Sequence, residues 1–137
     1  MRNILGIFLA LALSFAAQAA SQYDGIWLET EADDHDPSQT YTVYSMIHTT
    51  ANGAMYKVDV EPTNGQLLTG EWIGTQYGTL TANIATMSGE GDNCYLSHTM
   101  RFTSATTATI TVTNASPKPG KTCSVGNGFT VTLQKLL

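Results

Sequence analysis

Thr106-Thr107-Ala108-Thr109-Ile110-Thr111-Val112-Thr113 is the stretch that decides the fold, because threonine alternates there with small and aliphatic residues. Successive side chains of a strand point to opposite faces, so the segment separates into an apolar face of Ala108, Ile110 and Val112 and a hydroxyl face of Thr107, Thr109, Thr111 and Thr113. A helix, with its period of 3.6, would scatter the same residues around its circumference. β-branched threonine also suits a pleated, solvated surface. The segment predicts a strand with one face on a core and the other in water.

The same pattern extends outward from it. Phe129, Val131 and Leu133 repeat the alternation, and Tyr56, Val58 and Val60 oppose Lys57 and Asp59, which predicts that the tyrosine and the two valines face inward. No stretch beyond the N-terminal leader repeats apolar residues at i, i+3, i+4 and i+7 over three turns. Asn52-Gly53, Asn64-Gly65, Gly89-Glu90-Gly91 and the pair Pro117 and Pro119 around Lys118 read as turns. Strands are predicted at 25–30, 40–49, 54–61, 67–74, 78–86, 95–103, 106–113 and 128–136. About eight antiparallel strands joined mostly by hairpin-length connections make an all-β meander, and the even succession favours a barrel over a two-layer sandwich.

The N-terminus reads differently. Arg2, an apolar run from Ile4 to Ala17 and the small-x-small sequence Ala17-Gln18-Ala19 predict a signal peptide, 1–19, that is removed. The run is too short for the roughly 20 apolar residues of a membrane span, and no cysteine follows it to carry a lipid, so no membrane anchor is expected. What remains is a single all-β domain, 20–137, exported to the periplasm or the extracellular medium of a bacterium. Export places Cys94 and Cys123 where disulfides persist, and their pairing is predicted. Two thiols without a nearby partner motif make a poor zinc site.

Beyond the leader the chain carries eleven acidic side chains against five basic ones (Lys57, Arg101, Lys118, Lys121 and Lys135). The bases are scattered, so nucleic acid and anionic membrane surfaces are not expected partners. Asp33-Asp34-His35-Asp36 lacks the ligand spacing of a calcium loop and reads as a solvated acidic loop. No G-x-S-x-G, H-E-x-x-H or glycine-rich phosphate loop is present. Neither cofactor nor metal is expected, and no catalytic residue is assigned.

Gly25-Ile26-Trp27, at the start of the first predicted strand, resembles the G-x-W opening of lipocalin-type and avidin-type barrels. Asn64-Gly65-Gln66-Leu67-Leu68-Thr69-Gly70 is similar to hairpins of those barrels. Through the same Gly-x-Trp and the Thr-rich closing hairpins, the chain also resembles small secreted bacterial β-proteins of unassigned activity. The barrel resemblance implies a ligand cavity at an open end, with Trp27 packed across the closed end. Trp27 shares its strand face with Glu29 and Glu31, however, so either Trp27 faces out or a carboxylate faces in.

Four residues are candidates for ligand binding: Trp27, Tyr44, Trp72 and His98. His98 is in phase with Leu96, Met100 and Phe102 on an apolar face, and Trp72 is flanked on its face by Gly70 and Gly74. Tyr44 shares with Met46 and His48 one face of a strand whose other face, Tyr41, Val43 and Ile47, is also apolar. Each carries an expected alternative as packing or surface decoration. Three functions follow as expectations. They are a non-catalytic module binding a small apolar or sugar-like ligand in a barrel mouth, a structural domain holding a protein partner, and a small hydrolase or enzyme inhibitor.

Overall fold

Alternation carried around eight strands closes the chain on itself. The structure is a computed structural model describing residues 21–32, 40–63 and 66–137. Among these residues the strands are β1 (Gly25–Ala32), β2 (Thr40–Thr49), β3 (Ala54–Thr63), β4 (Gln66–Thr81), β5 (Ile84–Gly91), β6 (Cys94–Phe102), β7 (Thr107–Pro117) and β8 (Thr130–Lys135). Each pairs antiparallel with the next, and β8 returns to β1 through Trp27 opposite Lys135, Leu28 opposite Gln134 and Glu29 opposite Leu133. The fold is therefore a closed all-β barrel in which each described strand pairs with a neighbour on both sides. None of the described residues forms a helix long and apolar enough to cross a membrane. The expected signal peptide, the Asp33–Asp36 loop and the Asn64-Gly65 turn lie outside the described residues.

The expected fourth and fifth strands are redrawn. Residues 66–81 form one strand of 16 residues, the turn falls at Ala82-Asn83, and Gly89-Glu90-Gly91 lies within β5 rather than in a turn. Here glycine serves close approach. A Cβ on Gly78 would lie 1.8 Å from the Thr86 carbonyl oxygen, and one on Gly89 would lie 2.1 Å from that of Thr75. These glycines let the backbones of β4 and β5 come close to each other.

The faces of β3 are also reversed. Met55, Lys57 and Asp59 point into the barrel, while Tyr56 is exposed and Val58 and Val60 are half-buried on the outside. The expectation failed because it equated apolar with inward. Outside, Tyr44 lies beside Val60 and Met46 beside Val58, so the valines have apolar neighbours there. Inside, the two charges neutralise each other. β7 and β8 follow the expected facing, with Ala108, Ile110, Val112, Val131 and Leu133 all buried.

Trp27 faces inward and is fully buried, and Glu29 on the same face lines the interior, so of the two alternatives it is the carboxylate that turns in. The Trp27 indole Nε1 donates to the Tyr23 carbonyl at 2.9 Å. Its ring meets Phe102 edge-on at 5.4 Å, and Tyr23 stacks on Phe102 at 3.9 Å. With Met55, Met87 and Met100 these rings plug the end of the barrel that holds the β2–β3, β4–β5 and β6–β7 turns. Ile26 and Leu28 are left half-exposed outside. Burying each large ring contributes roughly 1.5 to 3 kcal/mol.

Candidate functional site

Above the aromatic plug the barrel holds a cavity of about 320 Å³. It lies toward the end that carries the β5–β6 turn and the long link between β7 and β8. Its two sides differ in chemistry. Val43 of β2, Ile110 and Val112 of β7, Val131 of β8 and Phe129 just before β8 make a wall that is apolar apart from Glu29 of β1, which lies between β8 and β2. Facing them, Lys57 and Asp59 of β3, Gln76 of β4 and His98 of β6 make a polar one. Glu29, Glu61 and Asp92 also line the cavity, the last two solvent-exposed.

The polar wall is wired together. The Lys57 ammonium donates to both oxygens of Asp59 at 2.5 Å and to Gln76 Oε1 at 3.2 Å. The Ser45 hydroxyl donates to Asp59 Oδ1 at 2.6 Å. Two unit charges buried in an apolar barrel are tolerable because each is paired and hydrogen-bonded. His98 is different. It is 4% exposed, and its Nε2 is buried without a hydrogen-bond partner. Burial first, then the positive charge of Lys57, push its pKa down to about 4 against an opposing pull from Asp59. The imidazole is therefore neutral at physiological pH, with one ring nitrogen left to give or accept a hydrogen bond.

A β-bulge shapes the cavity wall on β4. Asp59 pairs with Gly74 but Val60 pairs with Trp72, so Ile73 is skipped and both Ile73 and Gln76 reach the cavity. The same slip takes Trp72 off the face of Gly74. It lies outside, 47% exposed, with its Nε1 donating to Thr75 Oγ1 at 2.8 Å. Among the sequence candidates, then, His98 lines the cavity, Trp27 sits in the plug and contributes no lining atom, and Tyr44 and Trp72 lie on the outer surface.

Sequence reasoning missed Ser45, Lys57, Asp59 and Gln76. A signal was present, since each polar residue alternates with bulky neighbours (Tyr44 and Met46, Tyr56 and Val58, Tyr77), which is the pattern of a strand apolar on its outer face. His48 and His98 lie on opposite faces, and His48 Nδ1 pairs with Asp24 at 3.0 Å near the plugged end. No group of three or more His, Cys, Asp or Glu among the described residues is placed to hold a metal.

Cys94 and Cys123 form the expected disulfide, with Cα atoms 5.5 Å apart. It ties the link after β7 to the start of β6, and Ser124 and Val125 beside it line the cavity. A turn at Lys118-Pro119-Gly120-Lys121, closed by a 3.0 Å bond from Lys121 N to Lys118 O, starts that link, with Pro in second position and Gly120 at φ 74° in third. Lys118 then reaches over the outer wall to Glu90 at 2.8 Å, close to the Trp72 and Tyr95 rings. Comparison with protein-family models, curated proteins and solved structures finds no match to this chain.

Proposed function

We propose that the protein is an exported, non-catalytic binding module that takes a small ligand into the barrel cavity. The observation that carries this reading is a cavity of about 320 Å³ with one largely apolar and one polar wall, into which His98 brings a buried, unpartnered ring nitrogen. Its volume lies at the lower end of the roughly 300 to 1,000 Å³ typical of ligand sites, and a largely apolar lining with a few placed polar groups is their usual character. The disulfide and the leader at 1–19 both favour export. Thermal unfolding of the oxidised protein against panels of small apolar molecules and sugars tests this. A ligand at a hundred times its Kd stabilises by about 2.7 kcal/mol, so one class should raise the Tm by several degrees. A melting point unmoved by every class counts against the cavity as a binding site.

A second reading, a domain that holds a protein partner, is favoured by the outer surface. Leu28, Tyr44, Val60 and Trp72 form one cross-strand row over β1 to β4, and His48, Tyr56 and Tyr77 form another. Tyr77 is 64% exposed. The outer faces of β7 and β8 carry mainly threonine. Clustered exposed aromatic surface of this kind is the usual mark of a contact site. Crosslinking and size-exclusion chromatography of the protein and of Tyr77→Ser check it. A monomer with no captured partner, unchanged by the substitution, would leave the surface without this role.

A further inference from the structure

We propose that the cavity takes an apolar molecule with a hydroxyl at its inner end, a phenol or an alcohol, whose oxygen bonds to His98 Nε2 and whose body runs along Leu96, Val112 and Phe129 toward the rim. This rests on the ligand-binding reading above. Strand register fixes where the nitrogen stands. On one side His98 pairs with Met87 of β5, and Met100 is the next inward residue of its own strand, so His98 stands where the cavity meets the plug. On the other side it pairs with Val112 of β7, whose N–H donates to the Phe129 carbonyl at 2.9 Å. Leu96, two residues from His98 toward the β5–β6 turn, lines the same cavity. A polar group at the bottom of the cup is therefore followed, toward the rim, by apolar side chains.

His98 is almost completely buried, lines the cavity, and has no hydrogen-bond partner for Nε2 among the described residues. Buried polar atoms in folded proteins are nearly always satisfied. A hydroxyl serves this one whichever ring nitrogen holds the proton, since it donates to a bare Nε2 and accepts from a protonated one. An ionised group does not fit as well. The imidazole is neutral and offers no counter-charge. Lys57, the one cation in the described lining, has three ammonium protons and makes three hydrogen bonds, two to Asp59 and one to Gln76. A carboxylate at the bottom of the cup would lose its water without gaining a charged partner.

Ethylbenzene, 4-ethylphenol and 4-ethylbenzoate share one skeleton and make the test, measured by calorimetry on the full oxidised protein. The phenol should bind about tenfold more tightly than the hydrocarbon, as one well-made hydrogen bond to a buried atom implies, and the carboxylate should bind weakest. His98→Phe should remove the advantage of the phenol and leave ethylbenzene binding. In the parent protein the imidazole ¹⁵N resonances of His98 should move on adding 4-ethylphenol and hold on adding ethylbenzene, a readout that stands even if the variant does not fold. Equal binding of phenol and hydrocarbon, the result expected if water already serves the nitrogen, overturns the hydroxyl assignment while the cavity remains a binding site. A preference for the carboxylate does the same, as do ¹⁵N resonances unmoved by a bound phenol. Failure of all three to bind overturns the assignment, and the reading beneath it falls only if the wider thermal panel is silent as well.

Discussion

Asp59 accepts hydrogen bonds from Lys57 and from Ser45 inside a barrel whose floor is aromatic, and removing its charge strands an ammonium. Asp59→Asn is expected to cost about 3 to 5 kcal/mol in urea unfolding, whereas replacing the pair together, Lys57→Met with Asp59→Leu, should cost much less because no buried charge is left unpaired. A single variant within about 1 kcal/mol of the parent would mean that the pair is solvated. His98 sets a pH dependence. Its native pKa of about 4 lies below the ordinary 6.5, so between these values the unfolded chain binds the extra proton and stability falls as the pH drops. The loss approaches roughly 3 kcal/mol by pH 4, and His98→Gln should remove it from the pH profile of the denaturation midpoint. Parallel profiles for the two proteins would contradict a buried neutral imidazole. The inward facing of His98 was legible, because Leu96, Met100 and Phe102 surround it in phase. That of Lys57 was not, since a charge reads as outward until a partner two residues along the same face is brought into account.

At the scale of the strand, β7 declares itself and β4 does not. β7 alternates without interruption over the stretch that faces the core, whereas β4 carries Gly70, Gly74 and Gly78, a bulge at Ile73 and apolar residues on both faces. Glycine marks a turn when the backbone must fold back and marks a strand when a neighbouring backbone must come close, and local sequence does not separate the two. Gly89 belongs to the second kind. Gly89→Ala would place a methyl group 2.1 Å from the Thr75 oxygen, so β5 must shift from β4, at a cost of about 1 to 3 kcal/mol. Chemical denaturation checks this, and an unchanged midpoint would show that this position tolerates a side chain. Asn52-Gly53 behaves as read, with Gly53 N bonded to Thr50 O at 2.9 Å between β2 and β3.

Over the whole molecule, the barrel divides its interior into an aromatic plug and a polar-and-apolar cup, and the disulfide anchors the loop at the cup. The cysteines are 29 residues apart, and closing such a loop restricts the unfolded chain by roughly 3 to 4 kcal/mol on a chain-entropy model. Cys94→Ser with Cys123→Ser should lose about that much in guanidinium unfolding, and a double variant as stable as the parent would deny the crosslink its role. The sequence by itself determined the all-β class, the number of strands, the meander order and the cysteine pairing. Alternation has a period of two along the chain, turns punctuate it locally, and two cysteines have one way to pair with each other. Only the tertiary structure decided which face of β3 turns inward, where β4 ends and which polar residues meet. Lys57, Asp59, Gln76 and Ser45 lie on three strands, and the favourable energy that holds two charges inside the barrel exists only between partners that closure brings within hydrogen-bonding distance.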